Sequence, residues 1–122
     1  MKPTTLLAAA VLLTTPLSIG PTHAQAISLH VRTAGDLAEM CSASPRDLSG
    51  AARLNYCNGF AQGVIDLELR HSTTKPFCFP PDLKREVTMH DFASWIRAVP
   101  SRASEEPTGT LLHFLAERYP CK

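Results

Sequence analysis

Residues 51–70 read AARLNYCNGFAQGVIDLELR, and this stretch decides the fold. Leu54, Cys57, Phe60, Ala61, Val64, Ile65 and Leu67 recur at spacings of three and four, with Arg53, Asn55, Asn58, Gln62, Asp66 and Glu68 between them. Apolar residues at that period share one face of an α-helix, because about 3.6 residues complete a turn. The spacing predicts an amphipathic helix from about Ala51 to Arg70. Gly59 and Gly63 lie inside it and cost about 1 kcal/mol each relative to alanine. Four residues apart, they share one side and act as close-packing glycines. The backbone they admit belongs either to another helix of the same chain or to a second copy.

Upstream, Thr33 has the chemistry of a helix N-cap, with Asp36 at the third helical position and Leu37, Met40 and Cys41 marking one face. Pro45 stops this first helix near residues 42–45, and residues 46–50 form a polar turn. Downstream, residues 71–83 read as a loop containing Pro76, Pro80 and Pro81 and anchored by Phe77-Cys78-Phe79. Thr88 then has the signals of a second N-cap: Asp91 three residues on, and Val87 placed to clasp Phe92 in a hydrophobic staple. Phe92, Trp95, Ile96 and Val99 give that third helix its stripe, and Pro100 ends it. After a polar connection, Glu105-Glu106-Pro107 suits a first helical turn, and Leu111, Leu112, Leu115 and Tyr119 pattern a fourth helix. No strand-like alternation competes. The fold class is all-α, a compact bundle of four main helices.

The chain opens with Met1-Lys2 and an apolar run broken by Pro16 and Gly20-Pro21, followed by Ala24-Gln25-Ala26. A charged start, an apolar middle and small residues at a cleavage site describe a signal peptide, cut after Ala24 or Ala26. The division is therefore 1–26, a signal peptide, and 27–122, a single small domain placed in the periplasm, with no membrane insertion after cleavage. Of 12 basic and 11 acidic residues, removing Lys2 leaves eleven of each. That balance argues against nucleic acid or an anionic membrane as partner, since both demand clustered Lys and Arg.

A domain of this length buries only about 60–65% of its unfolded surface and needs staples. Cys41, Cys57, Cys78 and Cys121 supply them, an even count at wide spacing with no C-x-x-C pair to suggest a metal. Four cysteines allow three pairings. Cys41 ends the first helix and Cys57 lies near the start of the second, so a short connection makes them neighbours. Cys78 precedes the third helix and Cys121 follows the fourth, so those ends meet when the pair packs antiparallel. Cys41–Cys57 and Cys78–Cys121 are the expected disulfides. The expected core unites Leu37, Leu54, Phe60, Val64, Phe92, Trp95, Ile96, Leu111, Leu115 and Tyr119.

Catalytic patterns are missing: there is no phosphate loop, no H-E-x-x-H and no G-x-S-x-G. His30, His71, His90 and His113 are scattered, and Asp66 and Glu68 point different ways on one helix. The expectation is no enzyme, no cofactor and no metal. The domain acts by binding.

Certain residues carry a resemblance in order along the mature chain. They are Gly35-Asp36-Leu37 leading to Cys41, residues 56–66 (YCNGFAQGVID), Phe77-Cys78-Phe79-Pro80, and Leu111-Leu112 followed by Tyr119-Pro120-Cys121. Together they resemble the Rap/Tai family of periplasmic immunity proteins, which protect bacteria against peptidoglycan-amidase toxins delivered by type VI secretion. The resemblance implies a four-helix protein, often a homodimer, that plugs the active site of a cognate peptidoglycan amidase effector. On that reading the binding candidates are the exposed end of the third helix and the connection after it: Arg97, Ser101, Arg102, Glu105 and Glu106. A merely solvated charged turn is the plainer account of the same residues. The rival classes are a periplasmic acid-stress chaperone of the HdeA-like type, which typically has one disulfide, and a structural envelope protein. An amidase gene beside this one favours immunity; an acid-resistance cluster favours the chaperone.

Overall fold

A computed structural model describes residue 20 and residues 26–122. The signal peptide reading lies almost wholly outside them. The described chain forms four α-helices, α1 (Ala34–Cys41), α2 (Leu48–His71), α3 (Arg85–Ala98) and α4 (Pro107–Arg118), with a 3-10 segment (Pro100–Ser104) between the last two. Among the described residues none is in a strand. No described helix is long and apolar enough to cross a membrane.

The hub is the shortest α-helix. α1 has eight residues and packs against α2, α3, the 3-10 segment and α4. Alone it would not hold, because helix nucleation is costly and so short a segment is marginal in water. Two things keep it. Thr33 and Asp36 cap it reciprocally: Thr33 Oγ1 accepts from the Asp36 N–H (3.1 Å), and Asp36 Oδ2 accepts from the Thr33 N–H (3.1 Å). Its side chains Ala34, Leu37, Ala38, Met40 and Cys41 are all buried. Gly35 lets the 3-10 segment come close, since a Cβ there would stand 2.9 Å from the Ala103 carbonyl oxygen.

Both expected disulfides are present, Cys41–Cys57 and Cys78–Cys121. The first ties the end of α1 to α2. The second joins the loop before α3 to the C-terminus, where the Cys78 N–H also donates to the Tyr119 carbonyl (2.8 Å).

The third helix departs from its sequence signals. It begins at Arg85, with Lys84 as N-cap and no side-chain capping bond, so Thr88 is not the cap. Thr88 is instead buried within the helix. Its hydroxyl donates back to the Lys84 carbonyl and accepts from the Tyr119 hydroxyl, both at 3.4 Å. Val87 stands half exposed, so no staple forms, and Asp91 pairs with Arg118 (3.5 Å). A side chain wanted by the core outweighed a good local capping pattern. α2 likewise starts earlier than the spacing predicts, because Asp47 caps it by accepting from the Gly50 N–H (2.8 Å).

Leu37, Phe92, Ile96, Leu111, Leu115 and Tyr119 are buried as expected, joined by Phe114 and Met89. Phe60, Val64 and Trp95 pack on this core from partly buried positions, and Leu54 is only partly buried. Leu67 and Val99, read as stripe residues, are exposed. Phe114 meets Phe92 edge to face at 5.5 Å, an arrangement suited to the ring quadrupoles.

Candidate functional site

The segment between α3 and α4 is built to be stiff. Val99 leaves α3 in an extended conformation, Pro100 fixes the first position of the 3-10 turn, and Pro107 fixes the first turn of α4. The Glu105 carbonyl accepts from the Ala34 N–H (2.9 Å), which ties this segment to the start of α1. Glu105 Oε2 accepts from the Thr110 hydroxyl (3.0 Å). Glu106 is the N-cap of α4, its two oxygens accepting from the Thr108 and Gly109 N–H groups, each at 2.7 Å. Those bonds, from Gly109 first and Thr108 second, hold the Glu106 carboxyl below its ordinary range.

Arg102 turns back over α3. Its Nη1 donates to the Trp95 carbonyl (2.8 Å), and its guanidinium carbon lies 3.5 Å from the centre of the indole ring. Trp95 Nε1 donates to Glu117 (3.4 Å). Arg97 points the other way, donating to Oγ of Ser42, the C-cap of α1 (2.7 Å), and to Ser94 Oγ (3.3 Å). Ser101 stands exposed at the tip.

The five candidate residues thus share one end of the bundle but split by role. Arg102, Glu105 and Glu106 hold the segment in shape, while Ser101 and Arg97 stand exposed, Arg97 oriented by Ser42 and Ser94. Two open grooves flank them. One, about 370 Å³, runs along Asp91, Trp95, Phe114, Glu117 and Arg118. The other, about 600 Å³, has Ala38, Ile96 and Pro100 among its walls, with Arg53 and Arg97 beside it. Arg53 was not legible as a site residue. It belongs to α2, and only tertiary packing brings it to α3.

Gly59 and Gly63 correct one reading of the sequence. A Cβ at either would meet nothing within 4 Å among the described residues, so none of the described helices packs there; the pair opens outward from α2.

All four cysteines are paired, and among the described residues no three His, Cys, Asp or Glu side chains gather in a way that could hold a metal ion. His113 lies 3.8 Å from Glu117, with both side chains well exposed.

A family model described as Rap1a immunity proteins matches residues 33–121. The match runs from the N-cap of α1 to the last cysteine and takes in every helix and both disulfides. Neither curated proteins nor solved structures give a significant match.

Proposed function

Starting from the chain's membership of the Rap1a immunity protein family, we propose that it works in the periplasm, binding a peptidoglycan-cleaving amidase effector one to one and occluding its active site. The observation that carries this reading is the family match over the whole helical domain. Two paired disulfides suit an oxidising compartment beyond the cytoplasm, where such bonds persist. The protein acts by occupying the enzyme, not by chemistry of its own.

The plug is the stiff end between α3 and α4, with Arg97 and Ser101 outermost. A segment already fixed by two prolines and by its bonds to α1 and α4 loses little entropy on binding. A standard interface buries about 800 Å² on each partner, so a single surface change weakens such binding without abolishing it. Two copies pair through the outward face of α2, where residues 54–65 include no charged side chain.

The test is titration of the purified, oxidised protein into the amidase encoded beside it, reading cleavage of wall peptide. Inhibition saturating near one protomer per enzyme supports the reading. Ser101→Arg, placed at the exposed tip, should weaken inhibition with an unchanged melting temperature. Arg102→Glu is a poorer probe, because it also strips the guanidinium from Trp95. An amidase that keeps full activity with wild-type protein in excess rejects the assignment for that pair. N-terminal sequencing of the periplasmic protein should begin at Gln25 or Ile27.

A further inference from the structure

The two grooves beside the plug differ in how their charges are used. In the Trp95 groove the charged groups are largely spoken for: Asp91 pairs with Arg118, Glu117 accepts from the indole, and Arg102 already covers the ring. In the other groove they are not. Arg53, from the second turn of α2, and Arg97, from the last turn of α3, line it together. Among the described residues no carboxylate lies within ion-pair distance of either. Arg97 is aimed by two hydroxyls, Ser42 and Ser94, which orient the guanidinium without neutralising it. Glu39 of α1 also lines the groove and balances only one of the two positive charges.

The walls are small and firm. Ala38 of α1, Ala103 of the 3-10 segment and Ile96 of α3 are among them. Gly35 holds α1 against the Ala103 carbonyl too closely for any Cβ, so this edge does not open and close with side-chain rotation. Small residues leave room for main chain, and the two arginines that line the groove offer guanidinium donors to a carboxylate.

We infer that this groove seats an extended acidic segment of the protein partner, its backbone over Ala38 and Ala103 and a carboxylate between Arg53 and Arg97. The inference deepens the immunity reading by giving the effector a chemistry: an Asp- or Glu-bearing strand or loop beside the cleft that the plug covers. It also assigns a contact to α2, outside the plug itself.

Two measurements on the mature, oxidised protein decide it. The first needs no effector. A capped tetraglutamate peptide, followed by NMR, should shift the backbone amides of Ala38, Ser42 and Ala103, and capped tetralysine should not. The Arg53→Gln/Arg97→Gln double variant, with a wild-type melting temperature, should lose the response. Equal shifts from both peptides, or shifts confined to other faces, overturn the inference. The second measurement is binding to the adjacent amidase, where Arg53→Gln alone, at the groove residue outside the plug, should weaken affinity about tenfold and flatten its dependence on salt. Undiminished binding by Arg53→Gln overturns the groove and leaves the immunity reading standing. Wild-type protein that takes the acidic peptide but not the amidase supports the groove and removes the immunity reading for that pair. Peptide-induced or groove-dependent dimerisation in sedimentation would assign the groove to a second copy and overturn it as an effector seat.

Discussion

The longest helix and the rest of the bundle are held in different ways. α3 and α4 bury Phe92, Ile96, Leu111, Phe114 and Leu115 against Leu37 of α1. α2, at 24 residues, fully buries only Gly50, Cys57 and Ala61. Its contacts are intimate but thin. A Cβ at Gly50 would fall 1.7 Å from the Ser44 carbonyl oxygen, so the start of α2 lies directly on the preceding turn. Cys57 bonds to α1, and farther along Gln62 accepts from Arg85 of α3 and donates to Asp66. Small residues at a helix contact mark close backbone approach; large ones mark area removed from water. The core trio of α1, α3 and α4 is stabilised mainly by the second; α2 relies on the first and on one covalent bond, with a smaller area from the partly buried Tyr56, Phe60, Val64 and Ile65.

The sharpest way to break that contrast is to remove comparable groups from each side. Phe92→Ala should cost about 3–5 kcal/mol, because it deletes a fully buried ring and leaves a cavity. Leu69→Ala, on the exposed last turns of α2, should stay within about 0.5 kcal/mol. Urea unfolding of the two variants checks this. Equal losses would mean that α2 is buried as deeply as the trio, which the structure denies.

The disulfide tests the second half of the contrast. Replacing Cys41 and Cys57 by serine opens a loop closed over a sequence separation of 16, worth about 3 kcal/mol in the chain-entropy account. The loss should be uneven. Amides of α2 should exchange with solvent far faster in the variant, while those of α4 still exchange only by the slowest opening. Uniform acceleration across all helices would show that α2 and the trio unfold as one unit, with no separate strap.

These two regions also show what the sequence makes legible. The three- and four-residue rhythm located the four described α-helices but not the 3-10 segment or the starts of α2 and α3, and the order of the cysteines together with short connections led to the correct pairing. Rhythm reports direction and not depth, which is why Leu67 and Val99 could be placed inward and are exposed. Thr88 had a convincing cap pattern, yet the turn before it is helical and its hydroxyl meets Tyr119 from the far end of the chain. No local signal reports that contact. Phe114 is different, because it sits three residues after Leu111 on the same face, a local spacing that the stripe of Leu111, Leu112, Leu115 and Tyr119 passed over. At the candidate site, the stiffness of residues 100–107 was readable from two prolines. The conjunction of Arg53 with Arg97 was not, because it exists only after α2 and α3 have packed.

A smaller effect sharpens the picture of α2 as a helix with a free outer face. Gly59→Ala and Gly63→Ala fill open space and remove the entropic cost of glycine in a helix. Each should raise stability by about 1 kcal/mol in dilute protein. Self-association measured by analytical ultracentrifugation should weaken at the same time, since a methyl group holds a second copy away. Stabilisation with unaltered association, or no association at all in wild type, would remove the outer face of α2 as the proposed pairing surface.

The smallest effect separates the helix ends by charge. α1 and α4 both begin on a carboxylate that accepts backbone N–H bonds. Asp36 accepts first from Arg32 and then from Thr33, and Glu106 from Gly109 and Thr108. These bonds favour the ionised form and hold both carboxyls below their ordinary values in the folded protein. In the unfolded chain the bonds are absent and the ordinary values return. Where the folded value is the lower one, the unfolded state binds protons first as pH falls. The contribution of each cap is therefore complete above the ordinary carboxylate range and is lost as pH drops through the folded value. Wild-type stability should decline below about pH 4, with other carboxylates adding to the slope. The Asp36→Asn/Glu106→Gln variant has no charge there to titrate. An amide oxygen can still accept from both the Arg32 and Thr33 N–H groups at position 36, but at position 106 it can accept from only one of the Thr108 and Gly109 N–H groups. This variant should melt slightly lower than wild type at neutral pH and converge on it in acid. Melting curves collected across that range that stay parallel would show that the two caps act through hydrogen bonding alone, and that their charge contributes nothing to holding α1 and α4 at the centre of the bundle.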